Sequence, residues 1–382
     1  MADILSGGPD PARYRRQRRW TTVAAGVVLA GTAGLVAGRS APGGDGQPPP
    51  PSTAPSTVPA KSAVVAVGVG TSWAYALVST CAERAVPVCS YRLRRRDLGG
   101  TGWTSTPLET DPRSTVGLPP ILNVGADVVT VIPFPDRPRV YVSTDGGGTF
   151  AERDLVPGPP VDAVPESGLV EWFCPDCANR LTTLEPDTGR LRPLRVQPPL
   201  GGRPLRSFDL RGEVLWAAAA DRAATVTAVS ADRGRTWRTV PVPGLVIDQL
   251  YGGLIVLAGP DGGGYLLATR RAGSPEGRLA GVWRADRPGG RWRRLAARGP
   301  ETLLSVLAGD RGLLVIELNG ATWRLAPSGT FGRLEDAEPL RPGTLVTGPS
   351  RVLASVSPDD ASRSTVLLSW DEAETWRVEK VT

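Results

Sequence analysis

The sequence predicts an all-β protein: a seven-bladed β-propeller of four-stranded blades, preceded by one N-terminal transmembrane helix and a Pro-rich stalk. Three observations support this fold class. Short runs rich in Val and Thr alternate with turn residues, and Gly (46) and Pro (38) are both abundant, a pattern typical of many short strands. One turn motif recurs at the interval of a propeller blade. An uncharged stretch over residues 21–38 follows a basic segment.

The N-terminal segment determines the predicted compartment. Residues 1–20 hold five arginines and are predicted to be a basic cytoplasmic tail, because positive residues flank membrane spans on that side. As a helix, residues 21–38 reach about 27 Å, roughly the thickness of a bilayer's hydrocarbon core, so we expect a single-pass anchor in the cell membrane. A cleaved export signal is the alternative, since Arg18 and Arg19 resemble a twin-arginine signal. Both interpretations place the C-terminal part outside the cytoplasm.

The segment that follows, residues 39–61, is rich in Pro, Ser and Thr. It lacks the apolar residues that a core requires, so we expect an extended and solvated linker. The propeller is predicted to occupy residues 62–382.

Three octets carry the repeat most clearly. Ser143–Phe150 (STDGGGTF) and Ser230–Trp237 (SADRGRTW) share the pattern Ser-x-Asp-x-Gly-x-Thr-Trp/Phe, and Ser369–Trp376 (SWDEAETW) keeps every position except Gly. Degenerate copies begin at Asp97 and Asp286. The spacing between these motifs leaves room for two further copies.

Weaker turn signals fill those two gaps and complete a set of seven anchors. The anchors are Asp97, Asp145, Asp187, Asp232, Asp286, Gly329 and Asp371. Successive anchors lie 42 to 54 residues apart, close to the ~40–50 residues of a propeller blade. Because Val64 already starts an inner strand and Val381 ends an outer one, we expect closure without strand exchange between the termini, by side-chain packing.

The composition of the octets indicates a structural role. The Asp accepts hydrogen bonds from N–H groups of its own turn, and the Gly adopts a positive φ. The final aromatic (Phe150, Trp237 or Trp376) is expected to be buried between the outer strands. Calcium binding at Asp145, Asp232 or Asp371 is the less favoured alternative, because each octet offers too few carboxylates for an oxygen cage. We predict no metal.

These octets resemble the Asp-box of the bacterial neuraminidase-repeat superfamily, which includes sialidases, sortilin-type receptors and photosystem assembly-factor propellers. The resemblance covers roughly residues 62–382 and implies the propeller fold. Because catalytic and non-catalytic members share the motif, it implies little about chemistry. We expect this chain to be a non-catalytic member.

The sequence lacks residues expected for the alternative function, an extracytoplasmic sialidase-like glycoside hydrolase. Sialidases of this superfamily clamp a substrate carboxylate with three arginines and use a Tyr–Glu pair and an Asp, but the Phe-Arg-Ile-Pro motif that carries the first arginine is missing before the first clear octet. The chain contains no His, which excludes His-dependent triads. Most tyrosines fall in predicted strands, and Tyr251 is the one loop candidate. We therefore assign no catalytic residue.

The four cysteines form two local pairs. In an oxidising compartment they predict the disulfides Cys81–Cys89 and Cys174–Cys177. A redox or zinc role for the C-x-x-C pair is less favoured, because strands and not a helix N-terminus are predicted to flank it.

The candidate binding residues are Trp172 and Glu171, beside the second cysteine pair, and Tyr251. The competing interpretation of Trp172 is packing inside blade 3. Of the net charge of +6, residues 1–20 contribute +3 and the remaining +3 is spread thinly over the rest of the chain, so we expect no nucleic-acid partner. No cofactor motif is present. The predicted function is a membrane-anchored binding or scaffolding module for an envelope protein or glycan.

Overall fold

Strands form the whole of the regular structure among the described residues. The structure, a computed structural model, describes residues 60–82, 88–114, 120–125, 128–132, 139–166, 169–171, 180–221, 223–245, 251–270, 278–295, 299–334, 342–343, 345–348, 350–357 and 363–381. The predicted tail, the anchor at 21–38 and nearly all of the linker lie outside these ranges. Within them, no helix is long and apolar enough to cross a membrane.

The strands form seven sheets of four strands each, which we number as blades 1 to 7. Blades 1 and 2 contain β1 (Ala60–Val69), β2 (Trp73–Ala82), β3 (Val88–Asp97), β4 (Thr104–Ser114), β5 (Ile121–Val124), β6 (Val129–Ile132), β7 (Arg139–Ser143) and β8 (Ala151–Asp154). Blade 3 contains β9 (Val156–Pro157), β10 (Leu169–Glu171), β11 (Thr182–Glu185) and β12 (Arg190–Pro193). Blade 4 contains β13 (Leu205–Arg211), β14 (Val214–Ala220), β15 (Thr225–Ser230) and β16 (Arg238–Pro241).

The remaining blades have the same order. Blade 5 contains β17 (Tyr251–Ala258), β18 (Gly264–Arg270), β19 (Arg278–Ala285) and β20 (Arg293–Arg294). Blade 6 contains β21 (Ser305–Gly309), β22 (Gly312–Ile316), β23 (Thr322–Leu325) and β24 (Phe331–Arg333). Blade 7 contains β25 (Leu345–Thr347), β26 (Leu353–Val356), β27 (Thr365–Ser369) and β28 (Arg377–Lys380). The predicted seven-bladed propeller of four-stranded blades is confirmed, and its first strand begins at Ala60, two residues before the predicted start.

Antiparallel order gives the propeller two distinct ends. In six blades, the turns between the first and second strands and between the third and fourth strands lie at one end, which we call the turn end. The connections between the second and third strands, and those from blade to blade, lie at the opposite loop end. Six of the seven predicted anchors fall in third-to-fourth turns at the turn end.

Blade 3 is the exception, and the Asp187 anchor was misassigned there. Its strand order is β10, β11, β12, β9, so its outer strand is supplied by Val156–Pro157, which precede the other three strands in sequence. This outer strand is parallel to β12. Asp187 consequently lies between the second and third strands, at the loop end. The regular spacing of the anchors did not reveal this strand order. The outer strand lies at the start of the blade's sequence instead of its end, but the blade has the usual number of residues.

The aromatic residue after each third-to-fourth turn packs against the preceding blade. Trp376 joins Leu314 and Ile316 of blade 6, and Phe150 joins Leu77 of blade 1. The six aromatics at this position are Trp103, Phe150, Trp237, Trp292, Phe331 and Trp376. They therefore lie between neighbouring blades and not between outer strands as predicted, because the blades pack face to face and this is where apolar surface is buried.

Closure between blades 7 and 1 occurs without strand exchange, as predicted, since no sheet mixes strands from the two termini. Val64, Val67 and Val69 of β1 pack on Val366 and Leu368 of β27. A backbone hydrogen bond of 2.7 Å from the amide of Val64 to the carbonyl of Arg363 adds to this packing.

One predicted disulfide is supported. Cys81 and Cys89 are directly paired across β2 and β3 and are joined by a disulfide bond, so the bond links the two strands next to the connection between them. The second predicted pair, Cys174 and Cys177, lies outside the described residues.

Candidate functional site

The three octets fold into the same hydrogen-bonded turn. In blade 4, the Ser230 hydroxyl donates to Asp232 (2.7 Å) and accepts from the amide of Gly234 (2.6 Å). The Asp232 carboxylate accepts from the amide and the hydroxyl of Thr236, at 2.9 and 2.6 Å. Equivalent bonds are present around Asp145 and Asp371. The shared Ser, Asp and Thr, and the backbone amide at the Gly position, thus each contribute a bond to the turn.

The hydrogen bonds also explain the ionisation of these aspartates. Burial opposes the charge on Asp145, but the bonds from Thr149, Ser143 and Gly148 outweigh it and lower the pKa to about 2. Burial is likewise outweighed at Asp232 and Asp371, mainly by the hydrogen bonds from Thr236 and Thr375, and their pKa values are lowered. The carboxylates are therefore held charged inside their own turns. No group of three or more His, Cys, Asp or Glu among the described residues is arranged to hold a metal ion.

The Asp97 and Asp286 turns depart from this pattern. Asp97 accepts one bond from the amide of Gly99 (2.8 Å). Asp286 instead pairs with Arg284 at 2.9 Å. These two copies retain the turn and its following aromatic, but their aspartates stabilise the turn less completely.

At the turn end, charged side chains from three blades meet near the central channel. Arg211, at the end of the inner strand of blade 4, donates to the carbonyl of Ala308 (2.7 Å) and to Asp310 (3.0 Å) of blade 6. Asp310 also pairs with Arg351 of blade 7 at 2.5 Å. Arg211, Asp310 and Arg351 are called the mouth cluster below. It links blades 4, 6 and 7 through one carboxylate.

A second set of contacts joins the mouth cluster to the octet of blade 7. Glu372 accepts from the amides of Asp310 (2.5 Å) and Arg311 (3.0 Å). Glu374 pairs with Arg311 and, at 3.1 Å, with Arg324. Glu372 has a φ of 57° and the following Ala373 a φ of 70°, a left-handed conformation that costs an L-residue about 1–2 kcal/mol. The bonds of Glu372 to blade 6 offset part of that cost.

Polar side chains on inner strands satisfy backbone amides of the next blade. Ser207 of β13 accepts from the amide of Val256 (3.1 Å), and Asp209 accepts from that of Ala258 (2.8 Å). Ser305 of β21 accepts from the amide of Leu345 (2.9 Å) in the same manner. An inner strand has no partner strand on its channel side, so these side chains replace missing ladder bonds.

Asp209 is the most strongly perturbed carboxyl among the described residues. Burial raises its pKa to about 6, although the bond from Ala258 and the charge of Arg211 favour the ionised form. The side chain keeps some solvent contact, but surrounding protein reduces its hydration, and this loss of hydration dominates. Asp209 therefore titrates near neutral pH beside the mouth cluster.

Comparisons with known proteins assign no family. No protein-family model and no curated protein matches the chain. Among solved structures it is similar to YCF48 bound to a D1 peptide, at 12% identity, TM-score 0.36, covering 65% of this chain and 67% of that one. It is similar to a Penicillium chrysogenum α-L-arabinanase complexed with arabinobiose, at 13% identity and TM-score 0.35, covering 84% and 97%.

A third similar structure is the GH74 xyloglucanase of Xanthomonas campestris, at 14% identity and TM-score 0.32. The match covers 81% of this chain and 52% of the xyloglucanase. Enzymes and non-enzymes both occur among these neighbours. Because these identities and TM-scores are low, the fold assignment rests on the strand order of the chain itself.

Two of the three predicted binding residues, Glu171 and Tyr251, have described positions, and these lie at opposite ends of the propeller. Glu171 ends the inner strand of blade 3 at the turn end, whereas Tyr251 begins the inner strand of blade 5 at the loop end. From Tyr251 to Ala258 the strand spans about 23 Å at ~3.3 Å per residue, so Tyr251 is also far from the mouth cluster. Trp172 lies outside the described residues.

Sequence reasoning missed the mouth cluster and Asp209. Arg211 precedes Gly212, and Asp310 lies between Gly309 and Gly312, so both occupy first-to-second turns. Comparing corresponding turns of successive blades would have shown charged residues of opposite sign there. Their pairing could not be predicted, because it joins blades that are almost a hundred residues apart.

Proposed function

We propose that this protein is a non-catalytic member of the Asp-box superfamily, a membrane-anchored extracytoplasmic propeller that binds or scaffolds an envelope protein or glycan. The shared hydrogen bonding around Asp145, Asp232 and Asp371 supports the superfamily assignment. The apolar stretch at residues 21–38, with its basic flank, supports the anchor and the orientation.

The state of the mouth arginines is the observation that carries the non-catalytic proposal. Arg211 and Arg351 both bind the carboxylate of Asp310, so a substrate carboxylate would have to compete with Asp310 for them. A sialidase-like site also needs a tyrosine beside its arginines, and Tyr251 lies at the opposite end of its strand. A binding role fits a mouth whose two arginines share an internal carboxylate.

Proximity labelling of the intact chain in its native membrane tests this proposal. We expect envelope proteins or glycan-synthesising neighbours to be labelled, and Trp172→Ala to reduce labelling of a specific partner. The full chain should release no sugar from a panel of sialosides and aryl glycosides. Sugar release that Tyr251→Phe abolishes would overturn the proposal in favour of the hydrolase.

A further inference from the structure

Exposed arginines gather on the outer rim of blades 4 and 5 at the turn end. The rim consists of Arg235, Arg238, Arg287, Arg291, Arg293 and Arg294, all exposed, and we call it the arginine rim. In sequence these residues belong to two octet-type turns more than fifty positions apart. The propeller makes the two turns neighbours, which the spread of charge along the sequence did not predict.

Contacts between the two turns show that the rim is one surface. The side chain of Arg238 in blade 4 lies against Gly289 in the blade 5 turn, where its Cδ is 2.8 Å from the position that a Cβ would take. Trp292 of blade 5 donates to the Thr227 hydroxyl of blade 4 at 2.8 Å. Its ring packs on Trp216, with centroids 5.0 Å apart. The arginines are thus mounted on a rigid junction between blades.

The rim arginines form no ion pair within the described part of the chain. No described carboxylate forms an ion pair with any of the six, and the one acid of the blade 5 turn, Asp286, is paired with Arg284 at 2.9 Å. Asp232 accepts the hydrogen bonds of its own turn and, being charged, attracts Arg235 without forming an ion pair with it. Six guanidinium ions with one nearby carboxylate free of an ion pair leave a net positive surface, which attracts carboxylate and phosphate groups and can bind them in a bidentate manner.

Two of the arginines are held in place and not merely exposed. Arg294 stacks over the ring of Trp283, 5.5 Å from its centroid, and donates to the carbonyl of Ala280 at 3.3 Å. Arg238 packs against Gly289 as described above. Such support reduces the entropy lost when the guanidinium groups bind an anion.

We infer that the arginine rim binds an anionic polysaccharide, a chain with repeated carboxylate or phosphate groups. Six charges along one edge match a polymer with repeated charges better than a single small anion. The inference rests on the proposed function, because an extracytoplasmic protein meets envelope glycans, and it specifies their charge. Nucleic acid fits less well, since Trp283 and Trp292 are 3% and 4% exposed and offer no stacking surface to bases.

The test uses the full chain in detergent with two glycan probes. Polygalacturonate supplies carboxylates and phosphomannan supplies phosphates, while dextran and unphosphorylated mannan are the neutral counterparts. The rim variant is Arg287→Gln, Arg291→Gln and Arg293→Gln, three residues whose side chains form no hydrogen bond or ion pair among the described residues. The matched control changes Arg92, Arg190 and Arg206 to Gln, exposed arginines on blades 1, 3 and 4. Both variants retain the arginines of the N-terminal tail.

We expect wild type to bind at least one anionic probe, with an affinity that falls as salt rises, and to ignore the neutral polymers. The rim variant should lose about tenfold in affinity and show a shallower salt dependence, because fewer counterions are released. The control should lose less than about threefold. Thermal unfolding of both variants checks that neither change disturbs the fold.

Three outcomes would overturn the inference: no binding by wild type, equal losses in both variants, or tighter binding of a DNA duplex than of either glycan. Partner labelling separates this inference from the proposed function. If wild type labels no envelope partner, the proposed function fails. If the rim variant binds polygalacturonate and phosphomannan as well as wild type does, the rim inference fails alone.

Discussion

At the scale of single residues, Asp209 is a titratable carboxyl that serves as a hydrogen-bond acceptor for a backbone amide at the free edge of an inner strand. Its carboxyl accepts the amide of Ala258, a bond that a neutral acceptor would make equally well. The charge itself is disfavoured by lost hydration, which raises the pKa to about 6. Ser207 and Ser305 perform the same task without a charge.

Asp209→Asn should therefore stabilise the protein at pH 7 and not at pH 4. The folded state binds the proton more tightly than the unfolded state, so the stabilisation from Asp209 is complete below about pH 4 and is lost as pH rises through about 6. The loss in wild type is at most about 3 kcal/mol. Urea unfolding at pH 4, 5, 6 and 7 measures it, and identical pH profiles for wild type and variant would refute the assignment.

Asp221 is a control of opposite sign. Hydrogen bonds from the amides of Ala224 and Ala223 lower its pKa, so its stabilisation is present above the unfolded pKa and is lost as pH falls. Asp221→Asn should hence lower the free energy of unfolding more at pH 7 than at pH 4. This is the reverse of the effect expected for Asp209→Asn.

At the scale of elements, the octet is the part of the fold that sequence predicted best. The Ser, Asp and Thr of Ser230–Trp237 each make the bonds that their chemistry suggested, because these contacts are local and need no knowledge of other blades. The final Trp237 was placed wrongly because its partners, such as Leu194 and Leu200, belong to the preceding blade. The Asp187 anchor was assigned to the wrong turn for a related reason, since a turn motif alone does not show which strands it connects.

Ser230→Ala should cost about 1–3 kcal/mol of unfolding free energy, because it leaves the buried amide of Gly234 without an acceptor. Ser143→Ala and Ser369→Ala should have similar effects, since their hydroxyls accept from the amides of Gly147 and Ala373. Thr239→Val is the control, an exposed hydroxyl with one long bond of 3.4 Å. Guanidinium unfolding measures all four, and a Ser230→Ala loss no greater than that of Thr239→Val would contradict the structural role.

At the scale of the whole molecule, stability depends on closing the ring between blades 7 and 1. The valines of β1 pack on Val366 and Leu368, and Arg96 of blade 1 is ion-paired with Glu379 of blade 7. Closure by packing was predictable from the strand count at each terminus. The cross-channel link from Arg211 to Asp310 was not, because a single sequence does not indicate which charges meet across a channel.

Gly348→Ala should open this junction. A Cβ at Gly348 would overlap the backbone carbonyl of Val69 in blade 1, and backbone cannot move aside as a flexible side chain can. We expect a loss of about 1–3 kcal/mol or more. Gly332→Ala is the matched control, because a Cβ there meets nothing within 4 Å. Thermal unfolding compares the two, and equal midpoints would show that blades 7 and 1 are not in close contact.

The outer strand of blade 3 has a consequence for the order in which the chain is synthesised. Every other blade lacks its outer strand until its last residues have been made. In blade 3 that strand, Val156–Pro157, is made first, so the blade is complete as soon as Arg190–Pro193 leave the ribosome. A nascent chain whose Pro193 has left the ribosome therefore contains three four-stranded blades, and no strand of blade 3 remains to be made.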